Sequence, residues 1–210
     1  MAMVSAILLA AGESRRMSGD FKPLMKWGTR TVIGACIDNL KRSRVDEIVV
    51  VLGFRESEIR ARLAGAGVQF AINREYSKGM LSSLKTGLPL ISPSCEGVLV
   101  ALVDQPMVGP DVINPLVVSY GDYDKKISVP TFEGKHGHPI IISRDFEEEI
   151  MRLDDNHPEG LKAIINAHRN EIQEVPVESN AILEDIDSPE DYARLVAQVP
   201  SFYDSHRWTP

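Results

Sequence analysis

Ile7-Leu8-Leu9-Ala10-Ala11-Gly12-Glu13-Ser14-Arg15-Arg16-Met17-Ser18-Gly19-Asp20-Phe21-Lys22-Pro23-Leu24 is the stretch on which the reading of this chain turns. Its apolar start, from Val4 to Leu9, predicts a strand covered on both faces. The strand ends in a turn of small residues. Two arginines and a lysine follow on an irregular segment that is no continuous helix. Small residues let backbone N–H groups approach a polyanion, and the cations neutralise it. The segment lacks the three glycines of a dinucleotide fingerprint and the Gly-Lys-Ser/Thr ending of a P-loop. It offers the N–H groups of Ala11, Gly12 and Glu13, the forked guanidinium of Arg16 and the point charge of Lys22, a set suited to a triphosphate.

Working outward, strand and helix signals alternate. Helices are expected over Thr31 to Leu40, Glu56 to Leu63, Met80 to Leu90 and Asp111 to Ser119, and strands over Asp46 to Gly53, Val68 to Ile72 and Gly97 to Val103. Further on, strands are expected at Ile127 to Pro130 and Pro139 to Ile142, helices at Phe146 to Leu153 and Glu159 to His168, and short edge strands at Glu174 to Val177 and Ala181 to Glu184. A last helix, Pro189 to Val196, carries Pro in its first turn. This order predicts an α/β protein with a mainly parallel sheet, an antiparallel strand entering in the second half. Polar motifs at 10–22, 73–83 and 104–106 each follow a predicted strand, so one mouth at the carboxyl ends of the strands is the expected site.

With 210 residues the chain reads as one domain over 1–199 followed by a surface tail at 200–210. A formal charge of −7 argues against a sequence-independent nucleic-acid binder, which needs a basic surface. Cys36 and Cys95 match no metal spacing and read as reduced thiols of a cytoplasmic protein. No Lys or Arg precedes Arg15, so the apolar start is not expected to be a secretory signal, and it is too short to span a bilayer.

Asp104 ends a strand and is followed by Gln105-Pro106; a carboxylate there can hold Mg²⁺, which takes one or two carboxylates together with phosphates. Asp185 and Asp187 share a face if Ile186 points into the core, and one of them would complete the metal site. Ser82 and Ser83 stand where one of them would cap a helix. His136, His157 and His168 lack partners at metal spacing and read as surface residues.

Leu-Ala-Ala-Gly-x-Ser-x-Arg-Met with Gly19-x-x-Lys22, Asn73-x-x-Tyr76-x-x-Gly79-Met80-x-x-Ser83-Leu84, Asp104-Gln105-Pro106, Gly137-His138-Pro139 and Asp185-Ile186-Asp187-Ser188-Pro189-Glu190-Asp191 occur here in the order of a known superfamily. The chain resembles the nucleotidyltransferases, and more narrowly the MobA-like and MocA-like molybdenum cofactor cytidylyltransferases and their guanylyltransferase cousins. The resemblance covers residues 4 to about 197. It implies a three-layer α/β/α, Rossmann-like nucleotidyltransferase fold and a metal site of Asp104 with Asp185 binding Mg²⁺; Asp187 reads also as part of the cap region of the last helix. It implies that Ala10, Ala11, Gly12, Arg16, Lys22, Asn73, Gly79, Ser82 and Ser83 bind nucleotide, that Lys22, Arg16 and Asp104 carry catalysis, and that Gly137, His138 and Pro139 meet the acceptor.

The implied reaction is attack by an acceptor phosphate on the α-phosphorus of CTP, with pyrophosphate leaving. The implied acceptor is molybdopterin carrying molybdenum, and the implied client of the product is a molybdenum hydroxylase. Ala10-Ala11 resembles the cytidine-specific branch, whereas the guanosine-specific branch carries Gly at the second position. The readings set beside this are guanylyl transfer to the same cofactor, transfer to another phosphorylated small molecule, and a silent nucleotide-binding maturation chaperone. Two departures are visible. Ser18 lengthens the loop by one residue, which a bulge would absorb, and the family's Gly-Asp-x-Gly segment is replaced over Asp154 to Gly160.

Overall fold

The computed structural model of the chain describes residues 2–122 and 124–199; the tail expected at 200–210 lies outside the described residues. The order is β1 (Val4–Ala10), β2 (Lys26–Trp27), β3 (Arg30–Thr31), α1 (Val32–Lys41), β4 (Glu47–Leu52), α2 (Glu56–Arg62), β5 (Gln69–Ile72), α3 (Met80–Gly87), β6 (Gly97–Leu102) and α4 (Pro110–Asp122). Then come β7 (Ile127–Phe132), β8 (Lys135–His136), β9 (Ile140–Ser143), α5 (Glu147–Arg152), α6 (Lys162–Ala167), β10 (Ile172–Pro176) and α7 (Pro189–Val196). Helix starts follow ordinary capping chemistry: the Thr31 side chain accepts from the Gly34 N–H, and Ser188 with Asp191 forms a reciprocal capping box behind Pro189.

The main sheet runs β10-β7-β9-β6-β1-β4-β5, with β8 paired to β7. β1 lies at its heart, parallel to both β4 and β6, and every residue of it is buried. β9 pairs antiparallel with β6 and with β7, so it is the reversed strand expected in the second half.

Strand parity builds the layers. Ala6, Leu8 and Ala10 of β1 join α1, α2 and α4 through Ile33, Ile37, Ile59, Val112 and Leu116. Ile7 and Leu9 face the other way, onto Leu81, Leu84, Ile150 and Ile164 of α3, α5 and α6. A nearly all-apolar strand is therefore required, because both faces are covered, and the one polar residue, Ser5, donates its hydroxyl to Glu47. A third apolar cluster of Met17, Trp27, Val32, Ala35, Ile186 and Leu195 meets the first through Val103 and Met107.

The strand expected at Ala181 to Glu184 is instead a 3-10 turn at Asn180–Leu183. Its start is fixed by Ser179, whose side chain accepts from the Ala181 N–H, and Ala181 and Ile182 are buried side by side rather than alternating. The preceding edge strand begins earlier than expected, at Ile172, and pairs parallel with β7. The β2–β3 hairpin and β8 are two-residue strands, too short to leave a periodic signal.

Candidate functional site

The parallel strands β1, β4, β5 and β6 end at one edge, and their exits are tied together. Phe54 N–H donates to the Ala11 carbonyl (3.0 Å), Asn73 N–H to that of Leu52 (2.8 Å) and Val103 N–H to that of Leu9 (3.2 Å). Over this edge lies an open cleft of about 330 Å³, lined by Gly12 to Met17, Lys22, Tyr76, Ser77, Asp104 and Asp187.

The wall from Gly12 to Lys22 is pinned by Met17 and, next to Lys22, by Phe21 in the first core cluster. Arg15 and Arg16 are exposed, but Met17 between them and the next turn is fully buried in the third apolar cluster. Ser14 (φ 57°), Ser18 (φ 52°) and Gly19 (φ 100°) take left-handed backbone, so the extra residue Ser18 is absorbed as a tight turn. The Ser14 hydroxyl accepts from the Lys22 N–H at 3.2 Å, closing the loop on itself. At Gly12 a Cβ would meet no atom within 4 Å. The protein's own packing does not demand glycine there, and the space opens onto the cleft.

Charge is concentrated opposite this loop. Ile186, fully buried in the same cluster, donates its N–H to the Asp104 carbonyl at 2.9 Å, which brings the strand end and the C-terminal segment side by side. Asp187 then faces the cleft. Its two oxygens each accept from the Arg16 guanidinium at 3.0 Å. Lys22, a tenth exposed, sits between the carboxylates, with Nζ 3.5 Å from Asp104 Oδ2 and 3.8 Å from Asp187 Oδ1. The other oxygen of Asp104, Oδ1, is buried without a hydrogen-bond partner. An orphaned carboxylate oxygen beside a second carboxylate fits a divalent cation that takes its remaining ligands from phosphates. Among the described residues no group of three or more His, Cys, Asp or Glu is placed to hold a metal.

Asp185 is turned to the neighbouring side. Gln105 Nε2 donates to its Oδ1 at 2.9 Å. Although the residue is exposed as a whole, desolvation of the carboxyl and the nearby Asp104 charge raise its pKa above the usual carboxylate range. His138 lies within electrostatic reach of it, and burial, with Lys162 adding, pushes that imidazole below its ordinary value against the pull of Asp185. His138 Nδ1 is buried and unpartnered. Gly137 is obligatory: a Cβ there would come within 2.2 Å of the Ile182 carbonyl oxygen. Gly137-His138-Pro139 thus packs on the 180–186 segment, beside the cleft rather than among its lining residues.

Asn73, Ser82 and Ser83 are brought together, but with each other. Asn73 Nδ2 donates to Ser82 Oγ (2.9 Å) and Ser83 Oγ (3.0 Å), all three side chains being buried, and its Oδ1 accepts from the Glu75 N–H. Neither serine caps α3; its N-cap is Gly79 at φ 105°, whose carbonyl accepts from Ser82 Oγ. Ala10 is paired within β1 and Ala11 is buried with its carbonyl bonded, so of the Ala-Ala-Gly turn Gly12 alone lines the cleft. Lys85 on α3 bonds Asp155 at 2.7 Å, tying the altered 154–160 segment to this side. Asp187 and Tyr76 are the lining residues that residue type underweighted. The parity of Asp185 and Asp187 marked the pair without saying which faced the cleft, and Tyr76 stood in a quoted motif without a role.

Comparison with known proteins matches residues 6–172 to a family model described as the MobA-like NTP transferase domain. The bifunctional protein GlmU of Symbiobacterium thermophilum is 33% identical over 135 residues, 63% of this chain; the chain spans 28% of that protein's length. Nicotine blue oxidoreductase of Paenarthrobacter nicotinovorans is 29% identical over 146 residues, 66% of this chain and 70% of that protein. The crystal structure of Rv0371c from Mycobacterium tuberculosis H37Rv superposes with a TM-score of 0.82 at 28% identity, covering 93% of this chain and 98% of the other. The same protein in complex with manganese gives 0.78 at 27% identity, over 94% of this chain and 100% of that one.

Proposed function

Because the chain belongs to the family of MobA-like NTP transferase domains, we propose that it transfers CMP from CTP to the phosphate of a molybdopterin-type molybdenum cofactor, forming the cytosine dinucleotide cofactor and releasing pyrophosphate. The observation that carries this reading is the convergence of Lys22, Arg16, Asp104 and Asp187 on one cleft at the carboxyl edge of parallel strands. Cations for a triphosphate and carboxylates for a divalent ion stand within one phosphate's reach of each other.

The acceptor phosphate oxygen forms a new bond to the α-phosphorus as the bond to the β-phosphate oxygen breaks, and pyrophosphate carries away the charge. A phosphate monoester is ionised near neutral pH, so no strong base is needed. The task left to the protein is positioning and charge neutralisation. Lys22 and Arg16 hold the triphosphate, with Gly12 leaving room for it against the backbone. Asp104 and Asp187 would hold Mg²⁺, and the manganese complex of Rv0371c supports a divalent ion in this fold. Such an ion would supply positive charge to the phosphate groups. Asp185, with His138, Gly137 and Pro139, is assigned to the acceptor side, where its Gln105 bond orients it. The choice of cytidine rests on the resemblance of Ala10-Ala11 to the cytidine-specific branch, and not on the lining of the cleft, which Ala11 does not join.

The test is incubation of the protein and Mg²⁺ with molybdenum-loaded molybdopterin and each of CTP, GTP, ATP and UTP, following pyrophosphate and weighing the product. A cytosine dinucleotide formed from CTP alone is expected. A guanine dinucleotide instead, or nucleotide binding by thermal shift with no pyrophosphate from any pair, overturns the proposal.

A further inference from the structure

The lining of the cleft divides by chemistry. The segment from Gly12 to Lys22 offers N–H groups and cations, and Asp104 and Asp187 offer carboxylates; Tyr76 and Ser77 carry no charge. Tyr76 is the aromatic residue of the lining, and its ring is held in place from behind. A Cβ at Gly53 would approach Tyr76 Cβ and Cδ1 to 2.8 Å, so glycine there is what lets the tyrosine pack onto the strand end. Phe54 meets the Tyr76 ring edge-on at 6.3 Å, and Phe21 meets Phe54 in the same way at 5.6 Å. Phe21 immediately precedes Lys22, so one row of rings joins the phosphate wall to Tyr76.

Tyr76 is partly exposed in the wall of the cleft. The polar side chains that the sequence offered for nucleoside contact, Asn73, Ser82 and Ser83, are engaged with one another beneath the loop that carries Tyr76.

We propose that Tyr76 is the platform on which the nucleoside of a bound triphosphate packs, its ring stacking on the base. This rests on the nucleotide-binding reading above. A fixed ring in the wall of a polyphosphate cleft supplies area at little cost in conformational freedom. Stacking is tolerant of base identity, so the inference separates affinity for the nucleoside, which Tyr76 supplies, from choice among bases, which it does not.

The experiment is calorimetric titration with CTP and, separately, with inorganic tripolyphosphate, both with Mg²⁺, on the wild type and on Tyr76→Phe, Tyr76→Ala and Tyr76→Leu. Tyr76→Leu keeps apolar bulk against Phe54 should the alanine variant fold poorly. Tyr76→Phe is expected to bind CTP within about twofold of wild type, while the Ala and Leu variants weaken it by about tenfold or more. Tripolyphosphate affinity is expected to be unchanged in all three. Equal losses for CTP and tripolyphosphate would show a ring that merely holds the loop, and unchanged CTP affinity a ring that touches nothing; either overturns the inference and leaves the nucleotide reading standing. Wild-type protein that binds tripolyphosphate but no nucleoside triphosphate overturns the nucleotide reading itself, and this inference with it.

Discussion

Without ligand, the groups assigned to phosphate and metal neutralise each other: Arg16 forks onto Asp187, and Lys22 lies between Asp187 and Asp104. Loading the cleft therefore means an exchange of partners, and Asp187→Asn separates its two halves. The Arg16–Asp187 pair is well aligned, but its side chains are 74% and 38% exposed, so solvent screening limits it to about 0.2–1 kcal/mol. Losing it should lower the melting temperature by no more than about 4 °C in a domain of this size. The same free energy no longer has to be spent releasing Arg16 and Lys22 to an incoming triphosphate. Metal-free CTP should thus bind up to about fivefold tighter to Asp187→Asn than to wild type. With Mg²⁺ present the sign reverses, because a proposed metal ligand is gone, and binding should be at least about tenfold weaker. Calorimetry with CTP in EDTA and in Mg²⁺ reads both numbers. A variant that weakens binding equally in the two buffers, or changes neither, would refute the exchange.

Lys22→Ala removes the least exposed cation of the cleft and should lower pyrophosphate release by about two orders of magnitude or more, read in a coupled phosphate assay; near-normal turnover would contradict its role. Gly12→Ala meets open space, so its unfolding free energy should stay within about 0.5 kcal/mol of wild type while CTP binding falls, as checked by urea titration beside calorimetry. His138 has a folded pKa below its ordinary value because burial disfavours the charged ring. On acidification the unfolded chain takes up that proton first. The stability associated with the neutral ring is therefore present above about pH 6.5 and is lost as pH falls from there toward the lower folded pKa. His138→Gln should flatten thermal stability across that window, and an unchanged slope would refute the assignment.

Most of the sheet was legible because its strands are buried on both faces and read as predominantly apolar runs, as in Val4 to Ala10, broken only by Ser5, and Gly97 to Leu102. The segment from Ala181 was not. Two adjacent apolar residues there are buried by a turn rather than by alternation, and a side-chain bond from Ser179 decides the matter. Within the site, Arg16, Lys22, Asp104 and Gly12 stood out because charge or glycine after a strand has few structural uses. Asn73, Ser82 and Ser83 carry the right groups, but sequence gives no sign that they bond one another. Parity alone does not say which of Asp185 and Asp187 faces the cleft; Asp187 lines it, and the segment is anchored by Ile186, buried in one cluster with Met17, a residue some 170 positions away.

This shared cluster bears on how the cleft responds to its surroundings. Its two charged walls are hinged on grease: Met17 carries one and Ile186 the other, in a cluster closed by Trp27 and Leu195. Ionic strength screens attraction between exposed charges but leaves apolar burial in place. Concentrated sodium chloride should therefore silence the cleft electrically while leaving its jaws at the same spacing, and washing the salt away should restore it without any refolding.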